Sequence, residues 1–97
     1  MDMESLMAQA ADLQTKIAAA QDSLAGQQVR GIGGNGKAVV TMTGKYDVLS
    51  VVIQPNALEN GAESVSKYVF DAYKDAKAKA DVLIEKTMNA VTGSLDE

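Results

Sequence analysis

The sequence predicts an α+β fold, an α-β-β-β-α protomer in which a small antiparallel sheet is flanked by two long helices. Three observations carry this. The hydrophobic period is about 3.5 at the start of the chain, about 2 in the middle and about 3.6 at the end. The middle also holds clustered glycines and the single proline, at places where strands must turn or stop. Finally, two helices of about 24 and 30 residues carry more apolar face than one small sheet covers in a chain this short. That excess points to a homodimer, in which a second copy completes the core.

The first helix carries Met3, Leu6, Ala10, Leu13, Ile17, Ala20 and Leu24, a strict three-four alternation that makes a coiled-coil-like seam. Asp2 is its N-cap, and Glu4 sits in the first turn, where the helix dipole favours an anion. The helix should reach about Ala25, with Gly26 as its stop. Its seam is expected to pack on the second helix or on its mate in the dimer.

A short strand follows over residues 28–31. Gly31, Gly33 and Gly36 then spell G-x-G-x-x-G. That pattern holds a pyrophosphate only when a helix N-terminus comes next. Here a strand comes next, so the segment reads as a flexible hairpin turn that uses glycine's positive φ. Residues 37–43 form the clearest strand, alternating at Ala38, Val40 and Met42 and ended by Gly44. Residues 46–54 form the next, with Leu49, Val51 and Ile53 as its half-buried positions, paired antiparallel with its predecessor. Pro55 stops it, having no ladder donor. After a connection over 56–61, Asn60 serves as N-cap with Glu63 three residues on. The second helix carries the stripe Val65, Val69, Ala72, Ala76 and Leu83 and runs to about Thr92, followed by Gly93 and an acidic tail at Asp96 and Glu97.

Composition narrows the function. The chain has no histidine and no cysteine, which removes the commonest general base, the commonest transition-metal ligand and any disulfide. Its carboxylates spread around the second helix without converging on an apolar pocket. The sequence therefore predicts no enzyme, no catalytic, cofactor-binding or metal-binding residue, and no small-molecule substrate. Asp2 and Glu4 stand where a signal peptide needs positive charge, and no apolar run is long enough to span a membrane. A cytoplasmic protein with no membrane partner is expected. The net charge of −4 argues against nucleic acid, yet Lys67, Lys74, Lys77, Lys79 and Lys86 crowd the second helix.

One stretch is more specific. Gly36, Val40, Gly44, Val51, Ile53, Pro55 and Leu58 mark a glycine-bounded strand, then a strand ending in apolar-x-Ile-x-Pro, then a leucine. Ala72, Tyr73, Lys74, Asp75 and Ala76 follow as an alanine-aromatic-x-x-alanine run, continued by Lys77 and Lys79. This resembles the YbaB/EbfC family of small bacterial nucleoid-associated proteins. The resemblance implies one domain over residues 1–97, a tweezer-like homodimer with sheets at its centre and helices projecting, and binding of double-stranded DNA with little sequence preference in the nucleoid. The departure lies in the first helix, whose only cation is Lys16.

The lysines admit two readings. In one, Lys77, Lys79, Lys86, Lys74 and Lys67, with Arg30 and Lys37 beside the glycine turn, contact DNA phosphates and release counterions. In the other they form a solvated face stitched by the pairs Glu63–Lys67, Asp75–Lys79, Asp71–Lys74 and Lys77–Asp81. Lys86 has no acidic residue at helical spacing and is the cation that pairing explains least. Tyr68 and Tyr73 flank the core stripe and read as packing residues with wet hydroxyls. The rival to DNA binding is an acidic dimeric adaptor, or a chaperone-like protein, that takes a partner protein on its helices.

Overall fold

The computed structural model describes residues 2–93; the acidic tail at Asp96 and Glu97 lies outside them. The order is α1 (Met3–Gly26), β1 (Gln28–Gly33), a 3-10 turn (Gly34–Gly36), β2 (Ala38–Thr43), β3 (Val48–Ile53), a 3-10 helix (Pro55–Asn60) and α2 (Gly61–Gly93). The strands form one antiparallel meander in the order β1-β2-β3. The α-β-β-β-α fold read from the sequence is therefore the fold of the protein.

The core is built on small residues. Ala38, Val40 and Met42 of β2 are buried against Ala72, Ala76 and Ala80 of α2, with Val29, Tyr68 and Val69 packed around them. Alanines at i, i+4 and i+8 make a smooth ridge that lets the helix backbone come close to the sheet. β1 answers with Gly31 and Gly33. A methyl group on Gly31 would lie 1.9 Å from the Ala72 carbonyl oxygen, and one on Gly33 would lie 2.0 Å from that of Tyr68. α2 therefore seats chiefly on β1, less on β2, and barely touches β3.

Several boundaries differ from the sequence reading for physical reasons. β1 runs on to Gly33, two residues past its expected end at Gly31, because both glycines serve close approach to α2. The turn itself is carried by Gly34 (φ 61°), Asn35 (φ 57°) and Gly36 (φ 95°). β3 starts at Val48 and not at residue 46, since Tyr46 has φ 68° and lies in the β2–β3 turn. That turn is tied by the Thr43 hydroxyl, which accepts from the Lys45 and Asp47 amides at 3.1 and 3.2 Å. Asn60, expected as an N-cap, ends the 3-10 helix instead. The largest departure is β3. All six of its residues are exposed on the protomer, where Leu49, Val51 and Ile53 were expected half-buried. With α2 drawn over β1, no described element of the protomer covers it.

α1 is capped as expected, with the Asp2 carboxylate accepting from the Ser5 amide at 2.8 Å. Its C-terminal end docks on the β2–β3 turn. The Gly44 amide donates to the carbonyls of Leu24 (3.0 Å) and Gln27 (3.1 Å), which satisfies helix-end acceptors. Further out, Lys16, Ala19, Ala20 and Ser23 face Thr87, Ala90 and Val91 across an open cleft of about 380 Å³. The seam is buried only at Ala20 and Leu24; Met3 and Leu6 are exposed. The helices project past the sheet, and the molecule measures 68 × 19 × 15 Å with a radius of gyration of 19.1 Å. A compact chain of this length would have a radius near 13 Å.

Candidate nucleic-acid interface

Successive residues of α2 turn by about 100°, so the Ala72–Ala76–Ala80 ridge fixes where each lysine points. Lys79 and Lys86 lie roughly 60–80° to one side, toward the β1 edge. Lys77 lies about 100° to the other side, toward the β2–β3 turn, and Lys67 and Lys74 lie opposite the sheet. The seven cations singled out from the sequence thus fall into separate groups.

The β1 flank gathers three of them. The Lys79 ammonium donates to the Arg30 carbonyl at 2.7 Å and pairs with the Asp75 carboxylate at 3.1 Å. Asp75 also accepts from the Ile32 amide at 2.9 Å. That amide bond, and then the Lys79 ammonium, hold the Asp75 carboxyl below the ordinary carboxylate range. Strand alternation turns the Arg30 side chain away from α2, onto the open face of the sheet. Lys86 lies two helical turns beyond Lys79, about 10.5 Å along the axis. It is exposed and forms no ion pair with a described residue. Lys79 and Lys86 thus lie on the side of α2 toward β1, and Arg30 leaves the same strand on the open face of the sheet. The Asp75 carboxylate between strand and helix is paired with Lys79.

Three of the other four cations sit against rings. The Lys77 ammonium is 5.7 Å from the centre of the Tyr46 ring, Lys74 is 5.4 Å from that of Phe70, and Lys37 is 5.4 Å from that of Tyr68. Of the four intrahelical pairs expected, Asp75–Lys79 forms; the other three do not appear among the described residues. Asp81 instead accepts a hydrogen bond from the Tyr46 hydroxyl. Tyr68 packs on the core as read, and Tyr73 is 40% exposed. Sequence reasoning missed three bonds that need the tertiary fold, Asp75 to the Ile32 amide, Lys79 to the Arg30 carbonyl and Tyr46 to Asp81. It saw only the helical spacing of Asp75 and Lys79.

A second surface is apolar. Val48, Leu49, Val51, Val52 and Ile53 of β3 are 37–52% exposed, and Phe70 of α2 is 60% exposed. No residue of β3 is charged. On the protomer this strand has both faces and one edge exposed, an edge of the kind that can pair with another chain. Among the described residues no group of three or more acids is placed to hold a metal ion, and no helix is long and apolar enough to cross a membrane.

Known proteins are similar to this chain in fold and in sequence. The crystal structure of the uncharacterized protein HP0035 from Helicobacter pylori superposes with a TM-score of 0.76 over 98% of each chain, at 18% identity, which establishes the common fold. A nucleoid-associated protein of Bradyrhizobium sp. (strain BTAi1) is 38% identical over 95 residues, covering 97% of this chain and 90% of its own. The nucleoid-associated protein GOX0603 of Gluconobacter oxydans is 36% identical over 96 residues, covering 98% and 90%. That of Mycobacterium leprae is 34% identical over 95 residues, covering 97% and 82%. The model of the YbaB/EbfC DNA-binding family matches residues 1–95, and the chain belongs to that family.

Proposed function

We propose that this chain acts as a homodimer that binds double-stranded DNA through its phosphates, with little sequence preference, in the bacterial nucleoid. It works as a binding protein and not as an enzyme. The observation that carries the DNA reading is the β1 edge, where Arg30 on the strand and Lys86 on the helix are both exposed while Asp75 is already paired with Lys79. Cations on a strand and a helix flank touch backbone phosphates and read no base edges, which accounts for sequence tolerance. Lys67 and Lys74 add charge from the helix back, Lys77 from beside the β2–β3 turn and Lys37 from the glycine turn. The exposed, uncharged β3 supports the dimer, and the projecting helices support the tweezer shape.

The net charge of −4 opposes long-range attraction. At physiological salt the Debye length is about 8 Å, so contacts at the flank persist while steering is weak. A fluorescence anisotropy titration against salt tests the reading. Phosphate contacts give a log–log slope of about −0.9 for each phosphate neutralised. Arg30→Glu with Lys86→Glu should abolish binding, whereas Lys67→Glu with Lys74→Glu should weaken it less. Absence of binding to duplex DNA at low salt would overturn this and favour the adaptor that takes a partner protein.

A further inference from the structure

The two edges of the sheet are not equivalent. Gln54 donates its amide to the Lys37 carbonyl at 2.8 Å, which makes Lys37 and Gln54 a hydrogen-bonded pair at the end of the β2–β3 ladder. Bonding alternates along an antiparallel ladder, so Val39–Val52 and Thr41–Ser50 are hydrogen-bonded pairs as well. Val39 and Thr41 thus spend their amides and carbonyls on β3. Their partners in β1, Ile32 and Arg30, must then aim their own backbone groups away from the sheet, at the free edge. Those are the groups that α2 meets. Asp75 accepts from the Ile32 amide and Lys79 donates to the Arg30 carbonyl, and the two side chains are bonded to each other. A strand arriving at β1 would need that same amide and that same carbonyl.

The β3 edge is open. By the same alternation Val51 and Ile53 present their backbone groups outward, on a strand with no charge and no proline to discourage pairing. We propose that Asp75 and Lys79 form an edge cap that shuts β1, so that the sheet grows only at β3, where the β3 strand of a second copy adds antiparallel about a two-fold axis. Centred on Val51, that pairing is self-complementary: Val51 meets its own copy and Leu49 meets Ile53, with no like charges opposed. Each copy consumes its one open edge, and the assembly closes at two. Without the cap each sheet has two usable edges, and strand addition can propagate from copy to copy. Gly31 and Gly33 are the precondition, because they let α2 sink onto β1 until Asp75 and Lys79 stand level with its edge. The proposal rests on the homodimer reading for its β3 half; the cap half stands apart from it.

The test is sedimentation velocity on the full chain and on Asp75→Ala with Lys79→Ala, from micromolar to millimolar concentration, with circular dichroism to confirm helicity. The wild type should sediment as one dimeric species, and the double variant should form species larger than the wild type that grow with concentration. A helical double variant that matches the wild-type mass throughout would overturn the cap. If the double variant loses its helices, hydrogen exchange in the wild type decides. The Ile32 amide should exchange at least about tenfold more slowly than in an unprotected edge strand; exchange at the unprotected rate would overturn the cap. A wild type that is monomeric would defeat the dimer at β3, while growth of the double variant beyond that monomer would still support the cap.

Discussion

The hydroxyl of Tyr46 donates to the carboxylate of Asp81, joining the β2–β3 turn to the middle of α2 across 35 positions of sequence. Tyr46 sits at φ 68°, a conformation that a bulky residue adopts only when its surroundings hold it there. The Thr43 hydroxyl holds the turn from below, and Asp81 with Lys77 holds the ring from the helix. The same turn supplies the Gly44 amide that closes α1. One short connection thus ties the sheet to both helices.

Alkaline titration should expose this tie. The hydrogen bond to Asp81 favours the protonated phenol and raises its pKa above the ordinary 10.0. A group whose folded pKa is raised gives stability that is present below the unfolded value and lost as pH rises through the folded one. Wild-type stability should therefore fall above about pH 10 more steeply than that of Tyr46→Phe, with the lysine background common to both. Parallel curves from thermal unfolding would remove the tie.

Asp75 should show the opposite sign. The Ile32 amide first, and Lys79 second, lower its pKa from the ordinary 3.8. Its contribution is then fully present above that value and is lost as pH falls through the folded pKa. Asp75→Asn should be less stable than the wild type at neutral pH, and the gap should close in acid. Thermal melts at several pH values measure this. A gap that stays constant into acid would mean that ionisation of Asp75 is irrelevant.

The glycines separate into those that must stay and those that need not. Gly31→Ala places a methyl 1.9 Å from a backbone oxygen and 2.3 Å from a backbone nitrogen of α2, where no side chain can move aside. A loss of about 3 kcal/mol or more is expected, at or beyond the top of the usual overpacking range. Gly26→Ala meets nothing within 4 Å at the end of α1, and should be neutral or stabilising by up to about 1 kcal/mol. Urea unfolding of the two variants gives the comparison.

Much of the fold was legible because it follows from periodicity. The alternation at Ala38, Val40 and Met42 marks their burial, and the ridge Ala72, Ala76 is the face that α2 presents to the sheet. What stayed hidden was where α2 would sit. Gly31 and Gly33 read equally well as a turn, and only the close approach of Ala72 and Tyr68 shows that they draw the helix toward β1. From that follow the exposure of β3 and the use of Lys79 at the strand edge. Neither has a signature in linear spacing, because both depend on partners more than forty residues apart.

The α1 seam should be energetically uneven. Leu24 is 4% exposed and lies against Gly44, so Leu24→Ala should cost about 2–4 kcal/mol. Leu6 is 47% exposed near the far end of the same seam, and Leu6→Asp should change protomer stability by less than about 0.5 kcal/mol. Equal losses at both sites would show that the outer seam is covered in solution.

The last expectation joins assembly to DNA binding. Val51 is 48% exposed on the protomer, so Val51→Lys should leave the fold and its helicity intact. A lysine there would face its own copy across the two-fold axis, where like charges repel and neither has an acid to pair with. Sedimentation equilibrium should show the dimer replaced by a monomer. Two joined flanks bind one duplex with avidity that a single flank lacks, so DNA affinity should fall together with dimerisation. The substitution adds a positive charge, and charge alone would strengthen binding; a fall therefore reports the lost partner. The salt dependence supplies the second measure. If each protomer neutralises half of the phosphates, the log–log slope should drop to about half its wild-type value. Arg30→Glu with Lys86→Glu should do the reverse, keeping the dimer and losing the DNA. A Val51→Lys monomer that bound DNA with wild-type affinity and slope would show that one flank suffices.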